Sequence, residues 1–414
     1  MHTRTPIIIA ALIIAIGVIQ WTMRVTPDRE GTAQLVGATM GGDWSVRFRV
    51  PLPSGSTQRL YREIQAILDS VDRQMSTWKP DSDLSRFNRS TSTDWQPVPR
   101  ELAEVVSEAR RVSDQTGGAF DVTVAPLVNL WGFGPTRSPT TRSLDSLPSE
   151  DAVAQAKARV GYTKLDVRLD PPALRKRDAA LTIDLSAIAQ GYAADRVSDA
   201  LAAGGFGDHL VNVCGEMRAR GRGPHAGPWR VGIQAPVPDT FRTFEGVMLD
   251  DVALATSGDY QNYFEHAGRR YSHEIDPRAG HPIAHNLAAV SVVHASAASA
   301  DAIATGLLVL GFDEGRAVAE RDGLAALFVT RASSGFESHP TTNFQRLQFP
   351  YSEANDSSAG LPAEGGRDGD WPDRGDLSGR PSTRFYDASA VATRVITLSA
   401  TELLICSDEG SSSQ

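Results

Sequence analysis

A chain of 414 residues, 41% apolar and 22% charged, has the length and composition to bury one large core or two. Its net charge of −9 argues against a nucleic-acid partner, because binding phosphates calls for a basic face. The two cysteines, Cys214 and Cys406, lie far apart and there is no CxxC, HExxH or Walker-type loop, which argues against a disulfide framework, a zinc site or a P-loop.

Arg4 precedes an apolar run, Ile7–Ile19, that continues to Met23. The run has the length of a signal-peptide core and falls short of the roughly 20 residues of a full membrane span. With no A-x-A cleavage site and no lipid-attachment cysteine after it, residues 1–24 are expected to be an uncleaved anchor on an exported chain. Residues 25–34 read as a linker, and LVGATMGGDWSVRFRV as strand, glycine turn and strand. Helical spacing predicts helices over Thr57–Arg73 and Glu101–Val112, the second stopped by Gly117-Gly118, and another over Glu150–Val160. LTIDLSAIAQGYAADRVSDAL is expected to run from a buried strand into a helix with Ser186 near its N-cap. Strands are predicted at HLVNVCG, WRVGIQA, FEGVMLD, VALATSG and LAALFVT, with a small-residue helix over Ser296–Leu310. Residues 350–414, poor in apolar side chains and rich in Gly, Asp, Ser and Pro, read as a low-complexity, disordered tail. Mixed strands and helices over residues 35–345 predict an α+β domain with mixed or antiparallel sheets and packed helices.

Five stretches carry chemistry. Asp301 and Thr305, four apart on the predicted helix, share a face, and a carboxylate with a hydroxyl suits a hard cation; the plain alternative is a dipole-stabilised Asp and a Thr bonded back to a carbonyl. Asp184 ends an apolar run just before a helix containing Gly191, a junction whose free N–H groups suit an anion or a flavin edge as well as an ordinary crossover. Trp78, Phe120 and Trp131 lie in loops beside glycine or proline, where an aromatic ring either stacks on a planar ligand or simply packs. Finally, Tyr271–Ile283, YSHEIDPRAGHPI, gathers five ionisable side chains around turn residues; His273 is a candidate base, and His281, His285 and His294 are not excluded by spacing.

Together and in order, ATMGGDWSV, MSTWKPDSDLSRFN, TGGAFDVTVAPLVNLWGFG, IDLSAIAQGYAAD, VNVCGEMRARG, ALATSGDYQNYF with YSHEIDPRAGHPI, and SADAIATGLLVLG resemble the ApbE family of FAD:protein FMN transferases, over about residues 36–311. The resemblance implies a T-fold-like protein that takes FAD as substrate and Mg²⁺ as cofactor, moves FMN to a threonine or serine hydroxyl of an exported redox subunit, and releases AMP. It implies metal ligation by Asp301, Thr305 and the carbonyl of Ala187, and nucleotide contacts by Met40, Trp78, Ala119, Phe120, Asp121, Asp184, Gln190, Ile275 and Asp276. It implies His273 as the catalytic base, and a bacterial inner-membrane location with the catalytic domain in the periplasm or outside the cell. Hydrolysis of FAD to FMN and AMP, or flavin binding without catalysis, stays open at this point. The chain departs from the family in carrying Cys214 where a glycine is usual, in lacking a lipobox cysteine, and in its tail beyond Pro350.

Overall fold

The computed structural model describes residues 32–49, 52–53, 55–135, 147–224, 226–238 and 242–350. The anchor expected over residues 1–24 and the tail expected beyond Pro350 lie outside the described residues, as does most of the linker.

Eight strands form one sheet: β1 Thr32–Thr39, β2 Gly42–Arg49, β3 His209–Val213, β4 Glu216–Arg220, β5 Ala253–Gly258, β6 Leu287–His294, β7 Ala325–Ala332 and β8 Gly335–Pro340. Their order across the sheet is their order along the chain, and every neighbouring pair is antiparallel. The helices are excursions from this meander. Between β2 and β3 lie α1 (Ser56–Met75), α2 (Asp83–Arg89), α3 (Arg100–Gln115), α4 (Ala125–Leu130), α5 (Glu150–Lys157) and α6 (Ala189–Ala203); between β6 and β7 lie α7 (Ala297–Leu310) and α8 (Phe312–Arg321); α9 (Thr342–Gln345) follows β8.

Alternation along each strand sorts side chains between two cores. Val211, Val213, Ala253, Ala255, Val290, Val292, Ala326 and Phe328 face the helices, where α1 adds Leu60, Ile64, Leu68 and Val71 from one helical face. Leu210, Leu254, Ala289, Val293, Leu327 and Val329 face the other way, onto Trp229, Val231, Ile233, Val247 and Leu249 of a small three-stranded sheet. The large sheet is therefore a middle layer with both faces covered. That explains why β6, LAAVSVVH, is buried from Leu287 to Val293.

The expected hairpin of β1 and β2 is present, its turn made by Met40 (φ +48°) and Gly41 (φ +80°). Gly117 and Gly118, both at positive φ, end α3 as expected. β1 begins at Thr32, three residues inside the expected linker, because Thr32 and Ala33 pair with Arg49 and Phe48 and are buried there. LTIDL is buried but joins no ladder, contrary to expectation. The Asn88 side chain receives the Ile183 N–H and donates to the Ile183 carbonyl, both at 2.8 Å, so a side chain satisfies the backbone that a neighbouring strand would have paired. Ser186 lies two residues before Ile188, the N-cap of α6, and does not itself cap the helix; its N–H and hydroxyl turn back onto Asp184.

Lys176 fastens this region. It is fully buried, its Nζ donating to the carbonyls of Asn88 (3.1 Å) and Ser90 (2.7 Å) at the C-terminal end of α2. Burial lowers its ammonium from 10.5 to about 8. Between about pH 8 and 10.5 the unfolded chain therefore binds the extra proton, and stability gains with rising pH in that window. A melting-temperature series over this range is expected to show the gain in the parent and to lose it in Lys176→Met; equal slopes in the two proteins would count against the assignment.

Candidate active site

α7 is seated by side chains from its neighbours. Ser296 caps it, accepting the Ser299 N–H at 3.3 Å and donating to Asp195 Oδ2 at 2.7 Å. Asp195, on α6, also accepts the N–H groups of Ala297 (2.9 Å) and Ala298 (3.1 Å), so a carboxylate from the crossing helix satisfies the first turn. Ser299 Oγ donates to Glu108 of α3 at 2.6 Å. The helices meet at Gly191, where an added Cβ would lie 2.2 Å from the Ala297 carbonyl oxygen. Gly191→Ala is expected to cost about 1–3 kcal/mol of stability by forcing α6 off α7, read as a lower denaturation midpoint; an unchanged midpoint would mean that the crossing relaxes freely.

This seating carries Asp301 into the protein. Asp301 is only 6% exposed, and its Oδ2 accepts the Gly191 N–H at 3.1 Å. One turn on, Thr305 Oγ1 shares a hydrogen bond of 2.9 Å with Ser257 Oγ of β5. β4 adds Glu216, only 7% exposed, whose Oε2 has no hydrogen-bond partner among the described residues. Burial pushes the Asp301 carboxyl up to about 7, against the Gly191 hydrogen bond and with help from Glu274. Burial likewise holds Glu216 well above the usual carboxylate range, with Asp301 adding to the effect. Glu274 is pushed up to about 8 by burial, then by Asp259. Burial thus opposes ionisation at three neighbouring carboxyls, which would carry their charge only with a positive partner beside them.

No group of three His, Cys, Asp or Glu side chains arranged to hold a metal occurs among the described residues. The donor set expected from the sequence is different in kind, being one carboxylate, one hydroxyl and one backbone carbonyl. Ala187, whose carbonyl is the third, is half-buried in the turn leading into α6.

His273 lies in the bend after the strand Arg269–Ser272. Its Nδ1 donates to the Asn262 carbonyl at 3.0 Å, and its Nε2 is 3.6 Å from Glu274 Oε1. The other histidines lie elsewhere. His281 Nε2 is 3.4 Å from Glu150, His294 Nδ1 accepts the Ser296 N–H, and His285 lies against Gly311 beyond the far end of α7. The turn downstream forms as expected: Asp276 receives Arg278 N–H and Nε, its carbonyl receives the Gly280 N–H at 2.7 Å, and Ile275 and Asp276 pair with Pro282 and His281. Ile275 is buried with Trp131 and Tyr271.

The remaining candidates fall into two groups. Gln190 and Asp184 flank the α6 entry, and the Asp184 N–H donates to the Val122 carbonyl at 2.7 Å, joining it to the Phe120–Asp121 segment. Phe120 and Ala119 are buried; an added Cβ on Gly306, next to Thr305, would lie 3.2 Å from Phe120 Cβ. Asp121 is occupied, receiving Thr123 N–H and hydroxyl and Tyr162 N–H, with burial raising its carboxyl. Met40 sits on the β1–β2 turn beside the Cys214 turn, where the Cys214 N–H donates to the Asp43 carbonyl and burial pushes the thiol up to about 12. Trp78, 55% exposed in the loop between α1 and α2, is open to stack on a ligand. Trp131 is not, being buried against Tyr271 with its Nε1 donating to the Gly280 carbonyl at 2.9 Å.

Glu216, Asp195, Ser257 and Glu274 were not singled out from the sequence. The β3–β4 register gives one available signal. Glu216 pairs with Val213 and Arg218 with Val211, so both charged side chains share the helix-facing side, where a charge demands a partner. Arg218 has Asp195, at 3.5 Å.

The sequence model of the ApbE family matches residues 40–328. The FAD:protein FMN transferase of Haemophilus influenzae is 38% identical over 321 residues, which cover 76% of this chain and 90% of that protein. Among solved structures, the flavin transferase ApbE from Vibrio cholerae superposes with a TM-score of 0.69 at 37% identity, over 76% of this chain and 99% of the other. The apo form of the Pseudomonas stutzeri flavinyl transferase ApbE gives 0.69 at 41% identity, over 76% and 96%.

Proposed function

The chain belongs to the ApbE family, and from that premise we propose that it is an FAD:protein FMN transferase that uses Mg²⁺ and delivers FMN to a threonine or serine hydroxyl of an exported protein, releasing AMP. The observation that supports this reading of the site is the burial of Asp301 beside Glu216 and Glu274, with no cation among the described residues paired to Asp301 or Glu216. Buried carboxylates are stable when paired or bound to metal, and the orphaned Glu216 Oε2 marks where positive charge is wanting. The residues fit a hard cation: Asp301, Thr305 and the Ala187 carbonyl would hold it, with water and phosphate oxygens filling the shell. Bound there, Mg²⁺ draws off charge that develops on the phosphoryl oxygens.

The chain's own groups do the rest. His273 Nε2 takes the proton of the acceptor hydroxyl. The hydroxyl oxygen forms its bond to the FMN phosphorus as the bond from phosphorus to the bridging oxygen breaks, and that electron pair leaves on AMP. Trp78, exposed at the rim, offers a face for the isoalloxazine or adenine ring. The Asp184, Gln190 and Met40 segments would line the nucleotide, and the Ile275–Asp276 turn holds the loop that carries His273.

The test is to incubate the chain with FAD, Mg²⁺ and a threonine-bearing acceptor and look for in-gel flavin fluorescence that survives denaturation. A labelled acceptor supports transfer; free FMN and AMP without label would replace it with hydrolysis, and intact FAD with binding alone. Attachment to the bacterial inner membrane through residues 1–24, with the catalytic domain in the periplasm or outside the cell, belongs to the same proposal. Among the described residues no helix is long and apolar enough to cross a membrane. The full chain should sediment with membranes while a chain beginning at Gly31 stays in the supernatant; co-sedimentation of both would remove the anchor.

A further inference from the structure

Lys157–Arg177 carries seven basic side chains against two acidic ones in a chain of net charge −9, so positive charge is gathered in one stretch of an acidic protein. Its strands Leu165–Leu169 and Pro172–Lys176 form a small antiparallel sheet with Gln96–Pro97, separate from the large one. Alternation sorts the side chains between core and solvent. Leu165 and Leu174 join Leu102 and Val106 of α3 in the main core, and Lys176, opposite Leu165, turns inward with them. Arg168, Arg175 and Arg177 fall on the other face, towards solvent.

These arginines are pre-set rather than loose. The guanidiniums of Arg168 and Arg175 lie 4.9 and 4.8 Å from the centre of the half-buried Trp95 ring. Arg175 and Arg177 each donate to Asp166 at 2.8 Å, and Arg168 Nε donates to the Pro171 carbonyl at 2.9 Å. Asp166 is buried beneath them, and the hydrogen bond from Arg177, with that from Arg175, holds its carboxyl below the usual carboxylate range. Three guanidiniums over one carboxylate leave the face positive. With side chains 39% and 60% exposed, Arg175 and Arg177 keep N–H groups within reach of a further carboxylate. The inward Lys176 ties this face to the candidate active site. It holds the Asn88 and Ser90 carbonyls, and the Asn88 side chain holds Ile183, the neighbour of Asp184.

We propose that Trp95, Arg168, Arg175 and Arg177 form the surface on which the acceptor protein docks, through carboxylates that it presents beside its modified segment. The proposal rests on the transferase reading above. Transfer brings a protein to a chain whose net charge of −9 repels an acidic partner at long range, so a local positive face decides where such a partner lands. Planar guanidiniums fixed by an aromatic ring and a buried carboxylate can meet further carboxylates two bonds at a time, with little freedom left to lose. That geometry favours an acidic protein over a lipid surface, whose headgroups flexible lysines attract as well. A partner seated there lies beside the Asp184 segment that enters the site.

The test uses the full chain in neutral detergent with FAD and Mg²⁺, and compares two acceptors, an acidic exported protein and a short uncharged peptide bearing the same threonine segment. The variant is Arg168→Gln with Arg177→Gln, which leaves Arg175 on Asp166 so that the sheet should fold. It is expected to raise KM for the acidic protein about tenfold and to leave KM for the peptide and the kcat of both unchanged. Added salt should raise KM for the protein in the parent, because charges are screened beyond about 10 Å at 0.1 M, and should have little effect in the variant. If the double variant fails to fold, Arg168→Glu, at an exposed position, is read in the same way. An unchanged KM for the protein overturns the proposal, as does an equal rise for protein and peptide. A difference between parent and variant that appears only when phosphatidylglycerol is added to the micelles makes a lipid surface the partner and also overturns it. No labelled acceptor from the parent removes the transferase reading itself, a different failure from these.

Discussion

Asp301→Asn is expected to lower flavin transfer by about 10²–10³-fold and to remove its response to added Mg²⁺, as the loss of several kcal/mol of charge stabilisation requires. The substitution keeps the shape of the side chain and an oxygen for the Gly191 N–H, now 3.1 Å from Asp301 Oδ2, so α6 and α7 should stay packed and the melting temperature should change little. What disappears is the negative charge that α7 carries into the site. Initial rates of acceptor labelling over a Mg²⁺ titration provide the measurement, and a titration unchanged from the parent would exclude Asp301 as a ligand. A fall in rate with a large fall in melting temperature would instead make Asp301 a packing residue.

His273→Ala is expected to reduce transfer by about 10²–10⁴-fold, the usual contribution of a positioned base, while leaving FAD bound. The ring meets Phe133 edge-on, centroids 6.3 Å apart, and is partly exposed, so the alanine variant should fold. Equilibrium binding of FAD by fluorescence quenching, beside single-turnover labelling of the acceptor, separates the two effects. Labelling at the parental rate would end the role of His273. The engagement of His281 with Glu150, and of His294 with the start of α7, leaves neither placed to substitute for it.

The pairing of Asp301 with Thr305 was legible in the sequence because helix geometry is local: four residues give one face without knowledge of the rest of the chain. The β1–β2 hairpin was legible for the same reason, its Met40-Gly41 turn marked by glycine. Glu216 and Glu274 were not, since what sets them apart is burial beside Asp301 and His273, reached through strand register and a loop rather than through spacing. LTIDL misled in the opposite way. Its apolar alternation signals burial, and burial is what it has, but Asn88, far back in the chain, supplies the hydrogen bonds that a neighbouring strand would have made. β6 escaped notice because its alanines and serine, small enough for α7 to sit close on the sheet, dilute the β-branched signal of its valines.

A sheet whose spatial order copies the chain order imposes a schedule on synthesis. Each strand emerging from the ribosome finds its neighbour already made, with one large exception: β2 must wait through residues 50–208 before β3 arrives. During that interval the β1–β2 hairpin offers an open backbone edge along Trp44–Phe48, even once α1 has covered its apolar face. Holding that edge off from other nascent chains is therefore the vulnerable period in the birth of this protein, and it closes when His209–Val213 zips onto Trp44–Phe48.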